Sequence, residues 1–355
     1  VSPGASARER TPGAHPVLVT TVQALLLVIL MVIGSWVGFA AVFRAAPMLV
    51  AALGVLTSIA VAPVIALAAV GWYVLVSATV AILLKRLLIG RYVPMRTAVW
   101  SGFYLRHWMV IRAVGMIPWQ LLEGTRWQVA ILRALGARIG RGVHIHRGVR
   151  LAEGGWDLLV IGDHVSIGQD AQLHLADLDN GALIIAPVTL EAGATLEVRS
   201  SVGGGACVAE NACLSTLSWL PSDTCIPAGE LWSGVPAERV GLVTPPPSCA
   251  PTLSARQFDA ALLGARLGLT LLAALPYQIA LLAVALWTGV TADATLSGLR
   301  LPQAHVLLLT LIAIGPVPLI AALALKALAS RALGPVPEGS ISCWSGEYVR
   351  VLCKT

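Results

Sequence analysis

Apolar residues follow two different patterns along this chain, and the patterns predict two different kinds of structure. Four long stretches are nearly free of charged residues, at about 17–43, 48–84, 267–290 and 306–325. A helix needs roughly 20 apolar residues to cross a bilayer, and each stretch meets that length. We therefore predict transmembrane α-helical hairpins on both sides of a central domain.

The second of these stretches, 48–84, is nearly twice the length that one crossing needs, and it contains Pro63. One tilted helix that extends past the bilayer fits the pattern, and so do two segments broken at the proline. Transmembrane helices tolerate proline, so Pro63 does not decide between them. The sequence leaves the number of crossings in this stretch open.

In the middle of the chain an aliphatic residue returns at every sixth position. The longest run comprises Ile184, Leu190, Leu196, Val202, Val208, Leu214 and Leu220, and a small residue or valine stands four positions after each of the first six. Neither the helix period of 3.6 nor strand alternation produces a spacing of six. The repeat predicts a parallel β-helix, in which each hexapeptide forms one flat face of a triangular coil and points its aliphatic side chain inward.

The six-residue rhythm shifts phase twice, once within 151–161 and once within 173–184, and each shift is interpreted as a loop expelled from the coil. The second loop carries His174, Asp177 and Asp179. Histidine titrates near neutral pH and can take a proton from an attacking amine or hydroxyl. A neighbouring carboxylate can orient the imidazole. His174 is the predicted catalytic base, with Asp177 or Asp179 as its partner, and an ordinary exposed loop histidine is the alternative.

A glycine run, Gly203, Gly204 and Gly205, lies within the six-residue register. It lacks the Lys-Ser/Thr pair and the following helix of a P-loop. We interpret it as corner geometry of the coil, with cofactor binding through a pantetheine arm as the functional alternative. The six cysteines contain no CxxC pair, so no metal site is expected.

Composition and charge place the predicted elements relative to a membrane. Hydrophobic residues make up 57% of the chain and charged residues 12%, whereas an ordinary globular domain is about a quarter charged. Twelve Lys and Arg residues lie within 85–150, but the loops at 44–47 and 291–305 contain one each. Basic residues stay on the cytoplasmic side. The sequence therefore predicts a multi-pass protein of the cell membrane with a cytoplasmic central domain.

Tryptophan and arginine alternate through 105–135, where Pro118 and Gly124 interrupt the pattern. Such segments are typical of short helices in the plane of the lipid head groups. A helical collar packed on the end of the β-helix is the alternative. The interleaved basic and aromatic surface of a single-strand nucleic-acid binder is not evident, so no nucleic-acid partner is expected.

A second, longer repeat connects the two ends of the chain. Trp100-Ser101-Gly102-Phe103-Tyr104-Leu105-Arg106 recurs as Trp344-Ser345-Gly346-Glu347-Tyr348-Val349-Arg350. Each copy follows an apolar span, a lysine, an arginine and a proline. The repeat predicts that two spans and one cytoplasmic domain form a unit, and that a second unit starts near the end of this sequence.

The phrase Gly234-Val235-Pro236-Ala237 resembles the terminal coil of hexapeptide-repeat acyltransferases. The chain as a whole resembles the C-terminal membrane half of ε-poly-L-lysine synthetase and related single-module nonribosomal peptide synthetases. The residues that carry this resemblance are 85–92, 100–101, 135–140 and 172–175.

The resemblance implies a left-handed coil, His174 as the loop histidine, and a donor thioester on the phosphopantetheine arm of a carrier domain or on acyl-CoA. It also implies adenylation and carrier domains of the same synthetase as partners. Neighbouring β-helix copies in a trimer-like assembly and the lipid bilayer complete the expected set of partners.

The expected layout has seven segments: a linker at 1–16, transmembrane helices at 17–84, interfacial or collar helices at 85–138, an acyltransferase-like left-handed β-helix at 139–243, a linker at 244–262, a transmembrane helix pair at 263–330, and the start of a second unit at 331–355.

The leading interpretation is a transferase unit that forms amide bonds between a carrier-bound aminoacyl thioester and an amine. A CoA-dependent O- or N-acetyltransferase acting on a sugar or lipid is one alternative, and a non-catalytic scaffold or export unit is another.

Overall fold

The computed structural model describes residues 15–149, 151–244, 253–288, 312, 315–336, 342 and 344–354. The chain divides into two compact units, each built from two segments. The first unit contains Val1–Leu27 and Val74–Pro246, and the second contains Val28–Tyr73 and Pro247–Thr355.

The described part of the chain begins with a series of apolar helices. They are α1 (Pro16–Ala40), a π-helical segment (Ala41–Ala45), α2 (Ala46–Leu53) and α3 (Val55–Leu88). The helical path continues through the position where the sequence suggested a turn, and Pro47 lies in the first turn of α2, just after the π-helical segment. The break comes at Gly54, whose φ is 78°. The chain is not broken at Pro63, which lies inside the single long helix from Val55 to Leu88.

Three helices within the described ranges are long and apolar enough to cross a membrane: Pro16–Leu53, Val55–Leu88 and Ala255–Val284. The third belongs to α7 (Ala255–Thr288), which begins inside the segment expected to be a linker. Much of the fourth predicted span lies outside the described residues, and α8 (Pro316–Ala332) covers its last part.

The tryptophan- and arginine-rich region forms three short helices, as the positions of Pro118 and Gly124 predicted. They are α4 (Gly102–Gly115), α5 (Trp119–Leu122) and α6 (Arg126–Ala134). Val110, Val114 and Leu132 are fully buried, and they belong to the same apolar core as the strands that follow. This packing favours the collar interpretation. Contact of the exposed arginines with lipid head groups remains a prediction.

Short strands follow the collar and form three parallel sheets. Their members are β2 (Arg138–Ile139), β3 (His144–Ile145), β4 (Leu159–Ile161), β5 (Ser166–Ile167), β6 (Gln172–Leu173), β9 (Val188–Leu190), β10 (Thr195–Leu196), β11 (Ser201–Val202), β12 (Cys207–Val208), β13 (Cys213–Leu214), β14 (Trp219–Leu220), β15 (Cys225–Ile226) and β16 (Glu230–Gly234). The sheet orders are β2-β4-β9-β12-β15, β3-β5-β10-β13-β16 and β6-β11-β14, and β17 (Ala237–Leu242) closes the second sheet antiparallel to β16.

The register of these sheets confirms the six-residue rhythm. Leu196 pairs with Leu214, eighteen residues or three hexapeptides further along the chain. Across the second expelled loop Leu173 pairs with Val202, twenty-nine residues away, because the loop adds eleven residues to one turn. These side chains, and small residues of the i+4 class such as Ala194, are at most 2% exposed. The predicted core of the central domain is therefore confirmed.

Ile184 is an exception to that rhythm. It lies in β8 (Ala182–Ile185), which pairs antiparallel with β7 (Ala176–Asp179) and with β1 (Met95–Ala98). Side chains alternate between the two faces of such a strand. Ile185 is consequently 1% exposed and Ile184 is only half-buried. The expectation that Ile184 begins the inward-pointing series is wrong, because the hairpin imposes a period of two on this segment.

The two copies of the long repeat share local structure at a constant separation of 244 residues. Gly90 and Gly334 follow α3 and α8 with φ of 72° and 73°. Ser101 and Ser345 precede α4 and α9 (Gly346–Lys354). In each copy the serine Oγ accepts a hydrogen bond of 3.1 Å from the backbone N–H of the tyrosine three residues later. The sequence repeat is therefore also a repeat of helix ends and helix caps.

In the second unit, α7 packs against α8 and α9. Phe258 of α7 is fully buried, and its ring centroid lies 5.1 Å from that of Trp344 and 6.2 Å from that of Tyr348. The backbone N–H of Leu253 also donates to the carbonyl of Trp344 at 3.0 Å. The repeated tryptophan and tyrosine thus anchor the start of a long apolar helix.

Replacing one inward residue tests the packed coil. We expect Leu196→Ala to destabilise the central domain by about 2–5 kcal/mol, because it removes buried methyl groups and leaves a cavity. Val198→Ala is the matched control, since Val198 lies two residues away and is 44% exposed. Urea unfolding followed by tryptophan fluorescence would measure both. Equal effects of the two changes would contradict the inward stacking.

Candidate functional site

His174 lies where the chain leaves the coil after β6. Its backbone N–H donates to the carbonyl of Val202 at 2.9 Å, which fixes it to the neighbouring coil. Its side chain is half-buried, and its Nε2 lies 3.0 Å from the Oγ of Ser201. Ser201 occupies an outward position on β11, opposite Gln172 of β6. The histidine and the serine therefore form a pair across two adjacent coils.

The expelled loop after His174 is a β-hairpin. Its two-residue turn, Asn180-Gly181, has φ of 48° and 76° and thus the two positive φ values that a type I′ turn requires. Leu175, at the foot of the hairpin, is 2% exposed, and its carbonyl accepts a hydrogen bond of 3.0 Å from the N–H of Ala186. This closes the hairpin at its base and holds the backbone next to His174.

Asp177 and Asp179, the predicted partners of the imidazole, lie on the exposed part of β7. The Oδ1 of Asp177 accepts a hydrogen bond of 2.8 Å from the backbone N–H of Leu178. Asp179 accepts one of 2.9 Å from the side-chain amide of Asn180 and lies 3.7 Å from Arg96. Within the described residues the structure brings neither carboxylate to the His174 ring. The side chain that contacts the ring is that of Ser201, because the hairpin carries both aspartates away from β6.

Gly203, Gly204 and Gly205 form the corner between β11 and β12. A Cβ on Gly203 would lie 2.6 Å from the backbone nitrogen of Ser222, and one on Gly204 would lie 2.9 Å from the Cβ of Ala186. Gly205 has a φ of 83°, and its Cβ would meet the carboxylate of Asp223. The need for glycine at these positions therefore arises from packing against Ser222, Ala186 and Asp223. Contact of this corner with a pantetheine arm stays a prediction.

Two of the cysteines in this domain, Cys207 and Cys213, have thiols that are held protonated, whereas Cys225 is exposed. Cys207 pairs with Cys225 across neighbouring strands rather than with Cys213, and burial together with the Cys225 thiol raises the pKa of Cys207 to about 11. Burial also raises the pKa of Cys213 to about 11. In the part of the chain that the structure describes, no group of three or more His, Cys, Asp or Glu side chains could hold a metal ion.

Sequence reasoning missed Ser201, because its pairing with His174 spans 27 residues and depends on the register of the coils. It also missed a buried polar cluster beside the collar. There the Oδ2 of Asp157 accepts hydrogen bonds from the Nζ of Lys85 at 2.6 Å and from the backbone N–H of Tyr92 at 2.9 Å. The hydroxyl of Tyr92 lies 3.0 Å from the Nδ1 of His107. Lys85 is 4% exposed and His107 is 3% exposed.

The electrostatics of this cluster favour neutral rings around a buried ion pair. Burial lowers the pKa of His107 to about 4, so its imidazole is neutral at pH 7. Burial and the negative charge of Asp157 raise the pKa of Tyr92 above its usual range, so its phenol stays protonated. A hydrogen bond between neutral groups therefore joins the Tyr92 oxygen and the His107 nitrogen, and neither ring adds a charge to the core.

The chain is similar in sequence to a poly-amino-acid synthetase. Over 172 residues it is 33% identical to delta-poly-L-ornithine synthetase of Acinetobacter baumannii, a match that covers 46% of this chain and 12% of the relative. The predicted resemblance to poly-amino-acid synthetases is confirmed. The chain spans only about an eighth of that relative's length. No protein-family model matches the chain.

Similar solved structures include hexapeptide-repeat transferases. A hexapeptide transferase family protein of Anaplasma phagocytophilum is 24% identical, with 30% of this chain and 56% of that chain covered and a TM-score of 0.24. A hexapeptide-repeat acetyltransferase of Vibrio cholerae, solved with acetyl coenzyme A, is 16% identical, with 39% and 89% covered and a TM-score of 0.30. These TM-scores are low, and the three parallel sheets are established by the strand register described above.

The buried histidine predicts a pH dependence of stability. His107 has a folded-state pKa of about 4, and its unfolded value is about 6.5. Between these values the unfolded chain binds more protons, so stability falls as the pH drops from 6.5 to 4. The loss due to His107 is at most about 3 kcal/mol. Urea unfolding of the wild type and of His107→Gln at pH 7 and pH 4.5 would measure it. An equally steep loss in His107→Gln would contradict this assignment.

Proposed function

We propose that this chain is an acyltransferase unit of a larger synthetase and that it joins an aminoacyl thioester to an amine. The observation that carries the proposal is the His174 imidazole, held at the coil edge by the Ser201 hydroxyl at 3.0 Å. The similarity to delta-poly-L-ornithine synthetase supports the reaction class, because such an enzyme must form amide bonds to an amino group.

In the proposed mechanism the Ser201 hydroxyl holds the imidazole of His174 through Nε2. When Nε2–H donates to the Ser201 Oγ, the Nδ1 carries the free lone pair. Nδ1 then takes the proton from the acceptor amine as the amine nitrogen attacks the thioester carbonyl. The tetrahedral intermediate collapses, the carbon–sulfur bond breaks, and the thiolate leaves. The imidazolium returns the proton to the thiolate, so that the reaction yields an amide and a thiol without redox change.

The donor that we propose is a thioester on the phosphopantetheine arm of a carrier domain in the same synthetase, with acyl-CoA as the alternative donor. Both present the same arm and the same leaving thiol, so His174 would act alike on either. We expect the arm to approach along the outward faces of β6, β11 and β14 beside His174, with the glycine corner at 203–205 as the alternative contact.

We also propose the fold of this domain, its side of the membrane and its partners. We propose that the three sheets close into a left-handed β-helix; the eighteen-residue register supports the closure, and the left hand is what the resemblance to hexapeptide-repeat acyltransferases implies. The long apolar helices and the basic residues within 85–150 support a multi-pass protein with this domain on the cytoplasmic side. Adenylation and carrier domains, neighbouring β-helix copies and the lipid bilayer are the partners that we propose.

Removing the imidazole tests the function. We expect His174→Ala to reduce amide formation by about 10²–10⁴-fold, the usual contribution of a general base. The assay would supply the detergent-solubilised protein with an ornithinyl-pantetheine thioester and ornithine, and mass spectrometry would follow the dipeptide. His164→Ala is the matched control, because His164 is an exposed histidine at a coil corner.

An unchanged rate in His174→Ala would contradict the catalytic role and favour a scaffold. Consumption of acetyl-CoA in place of the aminoacyl thioester would identify a CoA-dependent acetyltransferase. Asp177→Asn is expected to retain at least half the wild-type rate, since its carboxylate contacts its own strand rather than the ring.

The membrane orientation can be tested with a native cysteine. Cys225 is exposed on the coil, so a variant that keeps Cys225 and replaces the other five cysteines by serine reports its side of the membrane. A membrane-impermeant maleimide should label it in inverted vesicles and leave it unlabelled in intact spheroplasts. The opposite pattern would contradict the cytoplasmic placement.

A further inference from the structure

The first expelled loop connects the buried ion pair to the backbone beside His174. Asp157 lies in the short 3₁₀ turn Trp156–Leu158, and its carboxylate accepts hydrogen bonds from Lys85 at the end of α3 and from the backbone of Tyr92. Two residues before Asp157, the backbone of Gly155 packs on Leu175. A Cβ on Gly155 would lie 2.9 Å from the Cβ of Leu175 and 3.3 Å from its carbonyl oxygen.

Leu175 is the residue directly after His174, and it is fixed from two sides. Its side chain is buried in the core, and its backbone closes the hairpin through the bond from Ala186. Gly155 therefore supports the hairpin at its base. Any shift of the first loop must move Leu175, because core packing leaves little free space. Leu175 would in turn displace the imidazole.

The first loop is itself held rigidly. The indole of Trp156 is fully buried, and its Nε1 donates to the carbonyl of Leu151 at 2.6 Å. The ring of His107 lies against Gly154, where a Cβ would overlap it, and Gly154 has a φ of 98°. The loop thus has the Lys85–Asp157 pair at one side and Leu175 at the other.

The second copy of the repeat shows that the local turns do not require the cluster. At the 244-residue spacing, Ala329, Val336 and Val351 stand where Lys85, Tyr92 and His107 stand in the first copy. The helix end, the positive-φ glycine and the serine cap are nevertheless retained. The buried polar residues therefore serve something other than the ends of these helices.

We infer that the Lys85–Asp157 ion pair is a positioning element for His174, acting through Gly155 and Leu175. This inference rests on the proposed function, since it assigns the pair a role in the same reaction. Lys85 and Asp157 do not touch the reacting atoms. They fix the first loop to the end of α3, and the loop sets the place from which the imidazole meets the acceptor.

The test compares three changes at the ion pair in the thioester assay. We expect Lys85→Met to lower kcat by about 10–100-fold with the KM for the donor changed less than twofold, because misplacement of a catalytic group affects the chemical step. Lys85→Arg keeps the charge and should restore kcat to within about threefold of wild type. The double change Lys85→Met with Asp157→Leu leaves no unpaired buried charge, so it should fold while remaining as slow as Lys85→Met.

Two further variants act as control and as independent probe. Arg239→Met removes an ion pair of similar length, 2.8 Å to Glu230, at the far end of the coil, and it should leave kcat unchanged. Gly155→Ala keeps the ion pair but pushes on Leu175, and it should lower kcat as Lys85→Met does. Thermal unfolding of each purified variant would show that it is folded.

Wild-type kcat in the folded double variant or in Gly155→Ala would overturn the positioning role, and so would a loss confined to KM. Failure of the proposed function has a different signature. If His174→Ala keeps full activity, the function itself is wrong. If His174→Ala is inactive while the double variant works at the wild-type rate, only the positioning inference fails.

Discussion

Stacking of buried aliphatic side chains along the three parallel sheets is the constraint on which the central domain depends. Each short strand contributes an inward residue, and that residue must pair with its equivalent in the next strand of its sheet. Leu196 and Leu214 show the undisturbed spacing, and Leu173 and Val202 show that an insertion changes the spacing without changing the pairing. Extra residues can therefore leave the coil only as loops at its surface. The candidate histidine lies at the start of such a loop.

The same constraint decides how much the sequence could predict. Inward positions repeat locally, so the core, both expelled loops and the breaks at Pro118 and Gly124 were predictable from short-range patterns. The hairpin carried a signal, Asn180-Gly181, that the six-residue rhythm concealed. The misassignment of Ile184 followed from reading that rhythm through a segment in which antiparallel pairing imposes a period of two.

Contacts between distant segments were beyond such patterns. Ser201 is an ordinary outward residue of its hexapeptide, and only the register across the insertion brings it to His174. The same holds for Lys85 and Asp157, which lie 72 residues apart and meet where the end of α3 contacts the first loop. Asp177 and Asp179 were close to His174 in sequence, but sequence proximity in a β-hairpin does not bring side chains together. The glycine run was interpreted as a corner, but its packing partners Ala186, Ser222 and Asp223 likewise depend on the register between strands.

The central claim is that the edge of the coil at His174 receives both the thioester and the amine. An affinity label tests it most directly. Chloroacetyl-pantetheine would be added to a variant in which all six cysteines are serine, and peptide mass spectrometry would locate the adduct. We expect alkylation of His174, with protection by the amine acceptor. Alkylation at His164 or His146 with His174 unmodified would contradict it.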